Sequence, residues 1–409
     1  MRKPTATFLS RSALVCAALA LGAGCESTKP RAVSPTDGVP VTQGGAAEGP
    51  TEAATPESPA PQKGNSPWQR ARVGDKVVYA FSGIRGQPGD ANGAAAAGKV
   101  TLEVAAVEGT WVWLTLGFTS DSGKPLEQPK LSRVLTFPMR TDTTRTLEAE
   151  REGTQSAEQP TAAGRTWEAK RYLRDNRPVD GPLENRLYAV DAGPLYLTNG
   201  LLDASTTLAG FRVPGSHQLT LVEVKQGTGD AGKVPERESP LGPGTWFDFE
   251  AESEGTKSVL RTCLGAERGF VLRSEGLAPA GSGGEPCKDF AQAGAVPLEE
   301  ALLSFLWDAL DPKQWPPAIP NAAPPVRETL TVGTKKLAVL QLDSAEGAEG
   351  LKQVGSRMFA ADPWDKTLSG LAHEARFSPL SDFLYRVTPK GKRESMGGRK
   401  LVDWGAWQP

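Results

Sequence analysis

The stretch RLYAVDAGPLYLTNGL, residues 186–201, decides the fold of this chain because it recurs as RMFAADPWDKTLSGL at residues 357–371. The alignment pairs Arg186 with Arg357, Tyr188 with Phe359, Ala189 with Ala360, Asp191 with Asp362 and, after one gap, Gly200-Leu201 with Gly370-Leu371. One such match is weak evidence, but its neighbours along the chain match in the same order.

The flanking segments extend the repeat in both directions. GRTWEA at 164–169 matches GTKKLA at 333–338, and LTLVEVKQG at 219–227 matches FLYRVTPKG at 383–391. Upstream, VGDKVVY at 73–79 lies 170 residues before PGTWFDF at 243–249. Solenoid repeats have periods of about 20 to 50 residues, so this spacing indicates a duplicated domain. We predict similar domains at residues 68–227 and 244–409, joined by a linker at 228–243.

Strand patterns dominate both predicted domains. Runs of β-branched and aromatic residues, bounded by Gly, Pro or Asp, predict strands. These runs are 75–81, 99–107, 110–118, 187–190, 218–225, 245–250, 259–264, 269–274, 336–342 and 383–387. The fold class is therefore mainly β (α+β), with each domain a curved antiparallel sheet carrying one or two short helices.

One helix is clear in the sequence. PLEEALLSFLWDAL, residues 297–310, begins with proline, carries Glu299 and Glu300 near the positive helix end, and places leucines at helical spacing. Pro312 and Pro316-Pro317 follow it. We therefore expect an amphipathic helix with one buried stripe.

The N-terminus carries an export signal. Arg2, Lys3 and Arg11 precede an apolar run that ends near Ala23, which is too short to span a hydrocarbon core of about 30 Å. The small residues before Cys25 resemble the lipobox of bacterial lipoprotein signal peptides, which implies that residues 1–24 are removed and Cys25 is lipidated. Cleavage by the ordinary signal peptidase after Ala20 or Gly22 is the alternative.

A tether follows at residues 25–67. Between Glu26 and Pro67 there is no aromatic residue, Leu, Ile or Met, and there are eight prolines. Such a segment cannot bury enough apolar surface to offset its ordering entropy, so we expect it to be disordered. With three basic residues removed in the signal, 43 basic and 48 acidic residues remain. That balance gives no support to nucleic-acid binding.

Cys263 and Cys287 are the two remaining cysteines of the mature chain. An even pair in an exported protein is most simply one disulfide, although two free thiols are the alternative. The predicted first domain has no cysteine at the corresponding positions, so the bridge would be local to the second.

No catalytic, cofactor or metal site stands out. The two histidines, His217 and His373, lie at non-equivalent positions, and His373-Glu374 lacks the second histidine of a zincin motif. We expect both histidines at the surface or in turns. Asp191 and Asp362 recur in both repeats, but an aspartate before Gly-Pro or Pro is what an Asx turn needs.

Trp111 and Trp113 lie on one face of a predicted strand whose other face is also apolar. A strand of this kind is covered on both sides. One side is core, and the other is either core or the lining of a cavity for an apolar ligand.

The architecture of signal, Pro/Ser/Ala tether and β-rich domains is similar to that of lipoproteins of high-GC proteobacteria such as myxobacteria. The resemblance implies a protein of the bacterial cell envelope, anchored to a membrane, with the outer membrane expected, and exposed to the periplasm or the cell surface. We expect a non-enzymatic scaffold or binding protein whose partner is an envelope protein. The alternatives are a periplasmic carrier of an apolar or lipid ligand and an unrecognised hydrolase.

Overall fold

The computed structural model describes residues 66–86, 94–143, 145–208, 214–229, 232–236, 241–253, 255–278, 287, 293–346 and 353–407. The predicted signal peptide, Cys25 and nearly all of the predicted tether lie outside these residues. Ser66–Pro409 form one compact unit. Within it, Pro67–Arg70 form a 3-10 turn that buries Trp68, and the first strand begins at Lys76.

The first half of the unit is an antiparallel sheet of nine strands, called the first sheet below. In sheet order it runs β4-β3-β2-β1-β11-β10-β9-β8-β5. A separate two-stranded hairpin, β6 and β7, interrupts it in sequence. The strands are β1 Lys76–Arg85, β2 Ala94–Glu108, β3 Trp111–Ser120, β4 Leu135–Arg140, β5 Thr154–Glu158, β6 Thr161–Ala162, β7 Arg165–Thr166, β8 Ala169–Asp175, β9 Pro182–Ala189, β10 Leu201–Leu208 and β11 Gly215–Lys225.

The second half forms another nine-stranded antiparallel sheet, the second sheet. Its order is β15-β14-β13-β12-β20-β19-β18-β17-β16. The strands are β12 Thr245–Ser253, β13 Thr256–Glu267, β14 Phe270–Leu277, β15 Gly294–Pro297, β16 Val326–Val332, β17 Lys335–Glu346, β18 Gln353–Ala360, β19 Ser381–Val387 and β20 Arg393–Ala406. Helix α1, Leu298–Ala309, connects β15 to β16, and helix α2, His373–Arg376, lies between β18 and β19.

The two sheets have the same strand order. In each, the first four strands run outward on one side, and the last five return from the far edge to pair with the first strand. The bulge in the pairing of the first and last strands also recurs, between Val78 and Tyr79 and between Asp248 and Phe249. The sequence alignment places Tyr79 opposite Phe249, so the irregularity is repeated to the residue.

Backbone conformation repeats as well. Gly200 and Gly370 close the two aligned stretches with φ values of 86° and 79°, which residues with a side chain rarely adopt. Asp191 accepts a hydrogen bond from the Gly193 amide, and Asp362 accepts one from the Trp364 amide, both at 2.9 Å. The predicted Asx turns at the two aspartates are thus confirmed.

The mainly β fold with curved antiparallel sheets and short helices is confirmed. The two sheets meet through a single parallel residue pair, Arg140 of β4 with Glu267 of β13. Because Ser66–Pro409 form one compact unit, the division into two domains, each able to fold separately, remains a prediction.

Two large hydrophobic cores and a small third cluster fill the described part of the unit, and the largest crosses the boundary between the halves. Its first-half members include Tyr79, Leu114 and Phe137, and α1 contributes five residues to it: Leu298, Ala301, Leu302, Leu303 and Leu306. The second core lies within the second half and includes Ala375 of α2. Helix α1 therefore belongs to the second half by sequence and packs mainly with the first sheet.

Candidate functional site

Helix α1 is contacted by buried polar groups from both halves of the fold. Its apolar stripe enters the core of the first sheet, where the ring of Phe305 lies 6.3 Å from that of Phe118 of β3. As the sequence predicted, the helix runs from Leu298 to Ala309 and has two acids in its first turn. Those acids contact the first sheet, which the sequence pattern did not indicate.

Glu299 is completely buried at the N-terminal end of α1. Its Oε2 accepts a hydrogen bond of 2.7 Å from the Asn199 amide, whereas its Oε1 has no hydrogen-bond partner among the described residues. Burial raises the pKa of the Glu299 carboxyl to about 8, because the charged form loses its hydration. The side chain is therefore a neutral acid at pH 7.

Glu300 holds the same end of α1 to the first sheet through an ion pair. The Nε atom of Arg186 donates to Glu300 Oε1 at 2.9 Å, and the Tyr188 hydroxyl donates to the same oxygen at 3.5 Å. Burial raises the pKa of Tyr188, and the nearby carboxylates of Glu299 and Glu300 add to that effect. The aligned residues Arg186 and Tyr188 are thus part of the contact with α1.

The C-terminal end of α1 carries acids where the helix dipole disfavours them. Lys130, from the segment between β3 and β4, compensates by donating to Asp308 at 2.6 Å and to Asp311 at 2.8 Å. Arg85 of β1 also pairs with Asp311. Burial raises the pKa of Asp308 despite the attraction of Lys130. Both ends of α1 are therefore tied to the first half by charged groups.

Both histidines contact α1, and neither lies at the surface. His217 of β11 is 3% exposed, and its ring centroid lies 4.6 Å from that of Trp307. His373 of α2 is 4% exposed, and its ring lies 5.6 Å from Phe305. The expected surface or turn location is wrong, because a neutral imidazole packs against the aromatic residues of α1. Desolvation lowers the pKa of His217 to about 3 and that of His373 to about 4.

Trp111 and Trp113 share the face of β3 that points away from the first core, as expected. Trp113 is 3% exposed. Thr136 of β4 lies on the same face, because it pairs with Thr115 of β3. Its hydroxyl donates a hydrogen bond to the Glu236 carbonyl of the linker, and its own carbonyl accepts one from the Leu241 amide. The linker is therefore bonded to β4 at Thr136, and Trp113 is buried rather than exposed on this face. Trp111 is only partly buried.

Cys263 and Cys287 form a disulfide, with a Cα–Cα distance of 5.9 Å. The bridge lies in a small apolar cluster with Phe270 and Leu272, and Leu147 from the connection between β4 and β5 packs against it. The first half therefore covers part of the second sheet, just as α1 of the second half covers part of the first. In each half, the connection between the fourth and fifth strands of its sheet packs against the other half.

A groove of about 570 Å³ lies on the first sheet at the ends of β1, β2, β10 and β11. Small side chains line it, including Ser82, Ala95, Ala97 and Ser205. His217 belongs to its wall, but the imidazole packs on Trp307. The groove presents hydroxyl and methyl groups rather than a set of convergent catalytic side chains.

The described residues contain no group of three or more His, Cys, Asp or Glu side chains arranged to hold a metal ion. Among these same residues, no helix has the length and apolar character needed to cross a membrane.

Of the residues singled out from the sequence, the structure brings Cys263 and Cys287 together and leaves Trp113 remote from the α1 contacts. Sequence reasoning missed Asn199, Lys130 and the burial of Glu299. The two acids in the first turn of α1 could have pointed to this contact. However, favourable interaction with the helix dipole explains acids at that position equally well.

Comparison with known proteins gives one assignment. No curated protein matches the chain, and no solved structure does. A family model does match it, over residues 5–409. The chain therefore belongs to DUF6068, a family of unknown function.

Proposed function

We propose that this protein is a lipid-anchored lipoprotein of the bacterial cell envelope that acts as a non-enzymatic scaffold or binding protein. The observation that carries the proposal is that side chains of the chain itself fill both cores, with α1 packed into the core of the first sheet and strand residues together with Leu368, Leu371 and Ala375 in the core of the second. A partner would then be bound on outer surfaces.

The packing favours this role over carriage of an apolar ligand. In the first sheet, the side chains of Leu302 and Leu306 occupy the position that an acyl chain would need. On the opposite face of the same sheet, Trp113 is buried. An apolar ligand would have to displace α1 and the charged contacts at both of its ends.

The lipid anchor is tested in a Gram-negative host that expresses the full chain and is fed an alkyne-tagged palmitate. We expect label and membrane association in the wild type and their loss in Cys25→Ser, because stable anchoring needs more than one acyl chain. Cys16→Ser is the matched control, since Cys16 lies in the same apolar run, and it should keep the label. Equal membrane retention of both variants would contradict the anchor.

Scaffold and carrier are separated by native mass spectrometry of the full-length Cys25→Ser chain purified without added lipid. We expect the mass of the unliganded polypeptide. A stoichiometric mass increase that organic solvent removes would show a retained lipid and replace the proposal by the carrier function.

A further inference from the structure

Helix α1 lies between the only two histidines of the chain, one from each half, and contacts both of them. His217 of β11 meets Trp307, and His373 of α2 meets Phe305, two residues earlier on the helix. Both imidazoles are almost fully buried. The same helix carries Glu299, whose Oε1 is buried without a partner among the described residues.

We propose that α1 is a proton-controlled latch between the two sheets, released when His217 and His373 become protonated. The inference does not depend on the proposed scaffold function. It rests on the placement of two buried, aromatic-packed imidazoles on opposite sides of one helix.

The acidic groups around His217 are already paired with other cations, so they would not stabilise a protonated imidazole beside Arg186. Burial lowers the pKa of His217, and the positive charge of Arg186 of β9 lowers it further. The carboxylates nearby are already engaged, Glu184 and Glu300 with Arg186 and Asp311 with Arg85 of β1. On α1, Asp308 next to Trp307 is bonded to Lys130. The Nδ1 atom of His217 has no hydrogen-bond partner in the described part of the chain.

The surroundings of His373 are also cationic. Its Nε2 donates to the carbonyl of Lys130 at 2.7 Å, and the charges of Lys130 and Arg376 oppose its protonation. Arg133, from the same segment as Lys130, lies over Trp364, whose ring also contacts His373. The adjacent carboxylate of Glu374 is bonded to Arg273 of β14. Charging His373 therefore places a new cation among existing ones.

Glu299 acts in the opposite direction. Its buried carboxyl is protonated in the closed state and ionises when α1 opens into water, so acid holds it closed. Each histidine favours the open state by about threefold per pH unit near pH 6.5 and by about tenfold per unit well below it, and Glu299 opposes opening by about tenfold per unit. The wild-type latch is thus tightest near pH 6.5 and opens on either side.

Hydrogen–deuterium exchange on the full chain, corrected for intrinsic rates, tests this at pH 6.5 and 5.0 with peptides covering α1. We expect the protection of α1 to fall by about tenfold at pH 5.0 in the wild type. In Glu299→Gln the fall should reach about 200-fold, because Glu299 no longer opposes the two histidines. In the double variant His217→Phe, His373→Gln, protection should instead rise.

The double variant keeps the ring contact with Trp307 and the donor to the Lys130 carbonyl. If it does not fold, the single variants replace it, each expected to remove about tenfold or more of the acid effect. Peptides of β17 serve as the reference and should stay protected. A wild-type α1 that is equally protected at both pH values, an equal loss in the histidine variants, or a parallel loss in β17 would each overturn the latch.

Discussion

The exchange of α1 onto the first sheet predicts a measurable coupling between residues of opposite halves. Phe118 of β3 is 3% exposed in the first core, and its ring centroid lies 6.3 Å from that of Phe305 of α1. Phe118→Ala should lower the free energy of unfolding by about 3 to 5 kcal/mol. Phe305→Ala should cost less, because Phe305 is only partly buried.

The magnitude that tests the packing is the interaction energy of the two substitutions. Aromatic pairs of this kind contribute about 0.5 to 1.5 kcal/mol beyond the area they bury, so the double variant should be less destabilised than the sum of the single ones by that amount. Urea unfolding of the two single variants, the double variant and the wild type gives the four free energies.

Phe118→Ala combined with Phe359→Ala provides the matched control. Phe359 is buried in the second half against Trp315, away from α1. Those two substitutions should be additive within about 0.5 kcal/mol. If the Phe118 and Phe305 costs are also additive within that margin, α1 does not pack on the first sheet as described.

Three further outcomes follow from the buried groups. Between pH 5.5 and 7.5, the unfolding free energy of Glu299→Gln should rise relative to that of the wild type by about 2 to 3 kcal/mol, because the raised pKa of Glu299 makes the wild type lose stability as pH rises. A difference between the two proteins that stays constant over this range would refute the prediction. Tyr188→Ala and Phe359→Ala, at aligned buried positions, should each cost about 3 to 5 kcal/mol by urea unfolding, and a cost below about 1 kcal/mol at either would contradict their burial. Replacing Cys263 and Cys287 by serine opens a loop with a sequence separation of 24 and should cost about 3.5 kcal/mol, while the oxidised wild type should take up no alkylating label at either residue.

Strands with alternating or continuous apolar runs were readable from the sequence. The predicted hairpin between 99–107 and 110–118 is β2 and β3, with Gly109 at a φ of 58° in the turn. The predicted runs did not include β4 to β7, β10, β15, β16 or β18. They also missed β8 and β20, whose residues are charged or glycine-rich, as in Gly397-Gly398. Such strands are held by pairing on both sides and need little intrinsic propensity.

The repeat of residues 186–201 at 357–371, the α1 helix and the Asx turns were determined by the sequence, because each depends on residues close together in the chain. Which sheet α1 packs against was decided only by the tertiary structure. Its apolar stripe needs an apolar face but does not specify which sheet supplies it.

The same reason explains the histidines and Glu299. The sequence shows that an imidazole or a carboxyl is polar, but whether it is buried depends on its neighbours in space. These neighbours are Trp307 for His217, Phe305 for His373 and Asn199 for Glu299. Side-chain chemistry is local, whereas desolvation is a property of the packed molecule.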